Sequence, residues 1–150
     1  MTYKHIMVAV DGSETSNLAM QEAIKLAKTQ KSTLRIVHVI DDSFVNYGEA
    51  YIDYAALLEA KKQQGLEILK KMDDLARHAQ ITFENHLIET KPFEGRIAEK
   101  LIEEARIRPT DLLVIGTHGR RGFSRLFLGS VAENVIRIAT LPILLVRGGE

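Results

Sequence analysis

Short apolar runs alternate with amphipathic stretches along the whole chain, and this alternation limits the fold more than any other feature. Three runs have the length and near-continuous hydrophobicity of buried strands: HIMVAV (5–10), LRIVHVI (34–40) and DLLVIG (111–116). The apolar run LPILLVR (141–147) closes the chain as a further strand. Between them, apolar residues recur at helical spacing. Strands separated by helices imply right-handed crossover units and a mostly parallel sheet.

Helical periodicity predicts four helices between the strands. The first follows Ser13, a favoured N-cap residue, and runs to about Gln30. Residues 41–54 have no clear period and are interpreted as a mobile loop. The long second helix comes next, and its apolar stripe comprises Leu58, Leu69, Met72, Leu75 or Ala76, and Ala79. Pro92 suits the first turn of the third helix, and the fourth follows the segment that ends near residue 130.

The segment ITFENHLI (81–88) supplies a fifth strand with one wet face, because apolar and polar residues alternate along it. It is therefore predicted at an edge of the sheet. Five strands and four helices make an α/β three-layer sandwich with a Rossmann-like, five-stranded parallel sheet. Ligands of such sheets bind beyond the carboxyl ends of the strands, where the strand order reverses. In the order 3-2-1-4-5 this crevice lies between the first and fourth strands, which end at Asp11 and Gly116.

Length and composition limit the class of protein. The 150 residues fit one domain, 1–150, that buries roughly 68–70% of the surface of its unfolded chain. There is no cysteine, which excludes disulfides and thiolate metal sites. The formal net charge is zero, so we expect neither nucleic acid nor a membrane as partner. No apolar stretch is long enough for a signal peptide or a membrane span, so a soluble cytoplasmic protein is expected.

The connection GTHGRRGFSRLFLGSV (116–131) is long and basic for a joint between a strand and a helix. It contains the spacing G-x2-G-x9-G at Gly116, Gly119 and Gly129, followed by Ser130. Glycine lets backbone N–H groups approach a ligand, and successive N–H groups can form an anion-binding nest. The helix that starts there adds its N-terminal N–H groups and its dipole, so a phosphate site is predicted. Side chains suited to phosphate oxygens are His118, Arg120, Arg121 and Arg125.

The same joint also fits explanations that need no ligand. Ser130 and Glu133 have the spacing of a capping box, which would satisfy the start of the last helix. Glycines of such a loop serve turns, the arginines are also compatible with a solvated surface, and His118 is interpreted more simply as a loop residue than as a catalytic base. Neither a Walker A sequence nor a GxGxxG fingerprint occurs. General physical chemistry therefore leaves phosphate binding and a ligand-free loop as alternatives.

Further candidates lie at the ends of the first two strands. Asp11 precedes Gly12 and Ser13, so it is either a turn residue or a carboxylate that accepts from a ribose hydroxyl or an adenine amino group. The side chain of Val39 belongs in the core, whereas its backbone can pair with a base edge. His38, in the same apolar run, is interpreted as a satisfied core or strand-end residue rather than a ligand.

The opening VAVDGSE, the segment HVID (38–41), the joint and the closing LPILLVR together resemble the universal stress protein family over essentially the whole chain. The string G-x2-G-x9-G-S is similar to that of the family's ATP-binding branch. The resemblance implies the strand order 3-2-1-4-5 and binding of ATP or a related adenine nucleotide. It implies that adenine or ribose contacts Asp11, the Val39 backbone and Gly116, and that the phosphates contact Gly119, Gly129, Ser130 and Val131. His118, Arg120 and Gly122 complete the candidate site, although Arg120 lies among the variable positions of the motif.

Three classes of function remain open. In the preferred one, a nucleotide-dependent stress-response module, ATP occupancy changes the joint and residues 41–54, and a protein partner senses the change. The second is a slow ATP hydrolase or nucleotide transferase that uses bound Mg²⁺, with Asp11 as the candidate carboxylate. No catalytic motif such as a nucleophile elbow or HExxH supports it. The third is an interaction protein that binds no nucleotide.

The closing strand lies at an edge of the sheet in this order, yet residues 143–146 are all apolar. An apolar edge invites pairing with another strand. We therefore expect a homodimer in which this strand meets its two-fold mate, and the family resemblance implies the same. The alternative is a loop or helix that covers the edge.

Overall fold

The computed structural model describes residues 3–40, 53–90, 96–118 and 128–148. In these ranges the elements are, in chain order, β1 His5–Ala9, α1 Glu14–Gln30, β2 Thr33–Ile40, α2 Tyr54–His78, β3 Thr82–Glu89, α3 Ile97–Ile107, β4 Leu112–Gly116, α4 Ser130–Ile138 and β5 Ile143–Val146. Strands and helices alternate, as the apolar periodicity predicted. None of the helices within the described ranges is both long and apolar enough to cross a bilayer.

The five strands form one parallel sheet in the order β3-β2-β1-β4-β5, which confirms the predicted α/β topology. Side chains alternate along each strand, so the central strand β1 contributes to both faces. Ile6 and Val8 pack with residues of α1 and α2 on one face. Met7 packs with residues of α3 and α4 on the other. The sheet is therefore the middle layer of three, and burial of both apolar faces holds the layers together.

The second helix begins earlier than the sequence pattern indicated. Asp53 is its N-cap, with a side chain that accepts an N–H of the first turn, and Tyr54 is its first residue. The stretch 41–54, interpreted as a mobile loop, therefore ends in a helix start, and the rest of that stretch lies outside the described residues. Ala76 is fully buried and Leu75 is 44% exposed, so Ala76 continues the apolar stripe.

The third helix begins later than predicted. Its N-cap is Arg96, and its first residue is Ile97. The backbone N–H of Arg96 donates to the Glu99 carboxylate at 3.4 Å, which closes the helix start without a proline. Pro92 is therefore not in the first turn of α3, and it lies outside the described residues.

A charged cluster lies between the sheet and α3, and the ion pair at its centre, Arg35 with Glu104, is buried. The guanidinium of Arg35, in β2, donates to Glu104 of α3 and, at 2.7 Å, to Glu84 of β3. The side chains of Arg35 and Glu104 are only 10% and 8% exposed. His86 lies 2.6 Å from Glu104, and Arg108 donates to Glu84 at 2.8 Å. The cluster joins the amino-terminal halves of β2 and β3, away from the strand ends where ligands bind.

The ion pairs keep this cluster charged. Burial alone would raise the pKa of Glu104, but hydrogen bonds with Arg35 and His86 lower it below its ordinary value. Burial opposes the charge of Glu84 too, and bonds from Arg35 and Arg108 lower its pKa. Burial alone would lower the pKa of Arg35, whereas its bonds with both carboxylates raise it. The polar face predicted for the edge strand is thus part of an ionic contact between β2, β3 and α3.

Candidate functional site

The candidate site lies at the carboxyl ends of β1 and β4, the neighbouring strands at which the strand order reverses. β1 leads into α1, which packs on one face of the sheet, whereas β4 leads toward α4 on the other face. The two connections therefore diverge and leave a crevice between them. Asp11 follows β1 and Gly116 ends β4, so both stand at the end of the sheet where the sequence predicted them.

Asp11 forms the turn between β1 and α1. Its Oδ1 accepts the N–H of Ser13 at 2.9 Å, and its own N–H donates to Oγ of Ser16 at 3.1 Å. Gly12 between them has φ 85°, a conformation that favours glycine. Ser13 is the N-cap of α1, as predicted, and its Oγ accepts the N–H of Ser16 at 3.1 Å. The turn role of Asp11 is therefore real, and it orients a half-buried carboxylate at the crevice.

Gly116 is required by packing. A Cβ at this position would lie 2.7 Å from Cγ2 of Thr15 and 3.2 Å from the carbonyl carbon and oxygen of Thr15. Thr15 is in the first turn of α1, so the missing side chain lets that helix start directly against the end of β4. This role holds whether or not a ribose contacts Gly116.

The two ends of the glycine-rich joint are tied together. The N–H of Gly129 donates to the carbonyl of Thr117 at 2.6 Å, and the N–H of Thr117 donates to the carbonyl of Val146 at 2.9 Å. Thr117 is buried, and its Oγ1 lies 3.0 Å from Nδ1 of the half-buried His118. Thr117 therefore holds the start of α4 next to the ends of β4 and β5. Three predicted site residues lie outside the described residues: Gly119, Arg120 and Gly122.

The start of α4 differs from the predicted capping box. Gly129 is the N-cap, at φ −65° and ψ 159°, and Ser130 is the first helical residue. The pairing of Ser130 with Glu133 is wrong because the cap lies one residue earlier, and Glu133 bonds instead to Arg137 at 3.2 Å. Glycine has no side chain to accept the first N–H groups of a helix. The amides of Ser130 and Val131 thus stand at the positive end of the helix dipole with no cap side chain at Gly129.

The backbone of Val39 is directed toward the turn that follows β1. Pairing of β1 with β2 ends at Ala9 and Val37, and the N–H of Val10 donates to the Val37 carbonyl at 2.9 Å. Backbone groups alternate in direction along a strand, so the N–H and C=O of Val39 point to the same side as those of Val37. β1 ends at Ala9, opposite Val37, so Val39 lies beyond the last paired residues of the two strands. The Val39 side chain is 8% exposed and belongs to the core, as predicted.

Two residues that organise the site had no signal in the sequence. Thr15 sets the position of α1 against Gly116, and Thr117 connects the joint to β5. Both act through contacts between segments that are distant in the chain, which no local pattern reveals. The prediction for His38 is confirmed, since the residue is 8% exposed and its Nδ1 donates to the Val10 carbonyl at 2.7 Å.

The acidic side chains of the described site residues bear on whether the site could hold Mg²⁺. Of the predicted site residues that the structure describes, Asp11 alone is acidic. Across the described ranges, no group of three or more His, Asp or Glu side chains is arranged to hold a metal ion. Mg²⁺ bound beside a nucleotide commonly takes one or two carboxylates together with phosphate oxygens and water. Among the described site residues, Asp11 is thus the candidate carboxylate for Mg²⁺, which would also need phosphate oxygens and water as ligands.

Known proteins resemble this chain over nearly its full length. The universal stress protein family matches residues 2–147. A universal stress protein of Methanocaldococcus jannaschii is 36% identical over 146 residues, which cover 97% of this chain and 82% of the relative. A solved structure from the same family in Burkholderia pseudomallei is 29% identical, with a TM-score of 0.80 over 96% of both chains.

Some solved structures of this fold contain adenine nucleotides. A universal stress protein in complex with cAMP is 26% identical to this chain, with a TM-score of 0.67 over 99% of this chain and 100% of the other. A universal stress protein of Archaeoglobus fulgidus in complex with dAMP is 23% identical, with a TM-score of 0.67 over 97% and 99%. The second likeness is one of fold alone.

Proposed function

The chain belongs to the universal stress protein family, and from that premise we propose that it binds an adenine nucleotide in the crevice between β1 and β4. The observation that carries the proposal is the start of α4. Its N-cap is a glycine, so the amides of Ser130 and Val131 have no cap side chain at the point where the strand order reverses. A helix start of this kind favours phosphate through its N–H groups and its dipole.

The phosphates are proposed to lie against the joint. Ser130 and Val131 supply main-chain N–H groups, Gly129 lets the phosphates come close because it has no side chain, and the Ser130 hydroxyl adds a donor that its exposed position leaves accessible. The bond between Gly129 and Thr117 supports this arrangement, because it holds the helix start beside the end of β4. Phosphate contacts are also proposed for the remaining candidates in the joint, namely His118, Gly119, Arg120 and Gly122.

The nucleoside is proposed to lie across the ends of β1, β2 and β4. Asp11 would accept from a ribose hydroxyl, and the ribose would pass close to Gly116. The N–H and C=O of Val39 would read the edge of the adenine, which their common direction toward the β1 turn supports. The complex of a 26% identical relative with cAMP supports an adenine nucleotide as the ligand class.

We propose that the nucleotide controls recognition by another protein rather than serving as the substrate of rapid chemistry. ATP is the proposed ligand, and Mg²⁺ would accompany its phosphates. The described residues of the site include one carboxylate, which is thin support for a hydrolase. Occupancy would change the joint and residues 41–54, and a partner would sense that change during a stress response.

Two copies of the chain are proposed to associate through β5. The strand is at an edge of the sheet, and Ile143–Val146 is entirely apolar and half-buried. The opposite edge differs, because β3 exposes the charged or polar side chains of Glu84, Asn85 and Glu89. Charges discourage edge pairing, whereas an apolar edge favours it. A two-fold axis beside β5 would join two sheets into one.

The nucleotide proposal is tested by identifying what the purified protein carries and what stabilises it. Mass analysis of the supernatant of denatured protein is expected to reveal an adenine nucleotide. Addition of ATP to stripped protein is expected to raise its melting temperature, since a ligand that binds only the folded state stabilises it. The variant Gly129→Val is compared with the wild type, and its ATP-induced rise should be smaller because a β-branched side chain at the N-cap would crowd a phosphate. An ATP-induced rise as large in Gly129→Val as in the wild type would move the site elsewhere.

A further inference from the structure

The hydrogen-bond ladder between β1 and β2 stops one bond short at the level of the candidate site. In a parallel ladder, a residue that donates its N–H to one strand neighbour accepts, through its carbonyl, the N–H two residues further on. Val10 makes the first bond, to Val37 at 2.9 Å. Its carbonyl would then accept the N–H of Val39. Instead it accepts Nδ1–H of His38 at 2.7 Å, and Val10 is not part of β1.

We propose that His38 is a positioning residue for base recognition: by taking the Val10 carbonyl it ends the ladder and keeps the N–H of Val39 for the nucleotide. This inference rests on the proposed nucleotide site. The Watson–Crick edge of adenine carries one acceptor, N1, and one donor, the N6 amino group. The N–H and C=O of a single strand residue offer the complementary pair. A Val39 N–H engaged by Val10 would leave only the carbonyl for the base.

The surroundings of the His38 ring hold it in the orientation that its bond to the Val10 carbonyl requires. It is 8% exposed and lies on the face of the sheet covered by α2. Gly65 of α2 lies against it, and a Cβ on Gly65 would come within 2.8 Å of its Cδ2. A carbonyl only accepts, so the proton on the ring is on Nδ1 in the bond to Val10. α2 thus fixes the orientation of the group that ends the ladder.

Removal of the Nδ1 donor should let the ladder extend. A buried carbonyl without a partner is unfavourable, and the N–H of Val39 is the donor that the strand register brings next to Val10. The substitution His38→Phe keeps a ring and removes the donor. The substitution His38→Asn keeps an N–H donor near the position of Nδ1 and removes part of the ring. The pair therefore separates the hydrogen bond from packing.

The test compares ATP, ITP and inorganic tripolyphosphate as ligands of stripped protein. ITP reverses the donor and acceptor of the base edge, and tripolyphosphate has no base. The wild type is expected to prefer ATP to ITP. In His38→Phe the affinity for ATP should fall about tenfold, as for the loss of one well-formed hydrogen bond. Its affinity for tripolyphosphate should be unchanged, and its preference for ATP over ITP should shrink. His38→Asn should retain the preference.

Hydrogen exchange of the Val39 amide supplies a readout that loss of packing alone would not move in this direction. In the nucleotide-free protein, that amide should exchange more slowly in His38→Phe than in the wild type. If His38→Phe does not fold, Gly65→Ala serves instead, because its methyl group would displace the His38 ring from Val10. Wild-type base preference and wild-type Val39 exchange in His38→Phe, or in Gly65→Ala where it replaces it, would overturn the inference. A wild type that binds none of the three ligands means that the nucleotide proposal has failed, and Val39 exchange then decides whether His38 ends the ladder.

Discussion

Gly116 at the end of β4 lies against Thr15 in the first turn of α1, so closely that a Cβ on the glycine would be 2.7 Å from the Thr15 Cγ2. The contact fixes the position of α1 relative to β4. Because α1 follows the turn that contains Asp11, the same contact sets where the Asp11 carboxylate stands relative to the joint. The packing of Gly116 against Thr15 therefore also affects the geometry of the proposed site.

Substitution of Gly116 should cost stability even without a nucleotide. Gly116→Ala is expected to lower the free energy of unfolding by about 1–3 kcal/mol, the usual effect of overpacking. Adding Thr15→Ser removes Cγ2 and should restore part of the loss. Recovery should be incomplete because the Thr15 backbone would still lie 3.2 Å from the new Cβ. Urea unfolding of stripped protein measures both effects, and wild-type stability in Gly116→Ala would contradict the packing role.

Two serines at helix starts should respond differently to alanine. Ser13 is a true N-cap that accepts the N–H of Ser16, so Ser13→Ala should cost about 1 kcal/mol of stability. Ser130 is exposed and follows the N-cap, so Ser130→Ala should change stability by no more than about 0.5 kcal/mol. Ser130→Ala should instead weaken ATP binding about fivefold, as expected for one lost hydrogen bond. Unfolding curves and ATP titrations check the two effects, and unchanged ATP affinity would remove the Ser130 hydroxyl from the site.

The buried cluster predicts an acid dependence of stability. The pKa of Glu104 is lowered on folding from its ordinary value of 4.5, so in acid the unfolded chain binds more protons than the folded one. The stabilisation from Glu104 is complete above that ordinary value and is lost as the pH falls through the lowered pKa. The wild type should therefore lose stability more steeply than Glu104→Gln as the pH falls below about 4.5.

Urea unfolding at a series of pH values measures this slope. At neutral pH, Glu104→Gln should already be less stable by about 1–3 kcal/mol, because Arg35 and His86 lose a charged partner. Glu103→Gln is the control on the same helix, since the Glu103 side chain is 55% exposed, and it should behave like the wild type. Parallel slopes for the wild type and Glu104→Gln would show that the buried pair does not control acid stability.

The edge of β5 offers a direct test of the dimer. The carbonyls of Pro142 and Val146 accept from the N–H groups of Leu113 and Thr117, so the backbone groups of Leu145, one position out of phase, face the free edge. Leu145→Pro removes an outward N–H and should yield a folded monomer, because proline is tolerated where the ladder is not interrupted. Leu145→Ala loses similar packing but keeps the N–H and should remain dimeric. Analytical ultracentrifugation measures the mass, and a monomeric wild type at micromolar concentration would contradict the proposal.

The parts of the fold that local pattern controls were predictable. Continuous apolar runs and helical spacing give the alternation of strands and helices, and the resemblance supplied the strand order that the structure confirms. Arg35 was not predictable as a buried charge, because its partner Glu104 is 69 residues away and only the packing of α3 brings them together. In the run LRIVHVI of β2, Arg35 and His38 are the two polar residues, and neither has a partner that the local sequence pattern reveals.

The candidate site was predicted less completely. The turn at Asp11 and the N-cap Ser13 follow from local chemistry, and both are confirmed. The capping-box spacing favoured Ser130 as the N-cap of α4, but glycine is a favoured N-cap residue as well, and helical periodicity does not distinguish two neighbouring residues. In the structure Gly129 is the N-cap of α4, and its N–H donates to the carbonyl of Thr117. This position of the N-cap removes the capping box as a ligand-free explanation of the helix start.

The most direct test of the central claim is calorimetric titration of ATP, with and without Mg²⁺, into protein verified to be free of nucleotide. The account predicts saturable heat with one ATP bound per chain, and a weaker interaction in Gly129→Val and Ser130→Ala. Absence of heat in the wild type at several temperatures, with the protein shown to be folded, would contradict nucleotide binding at the start of α4.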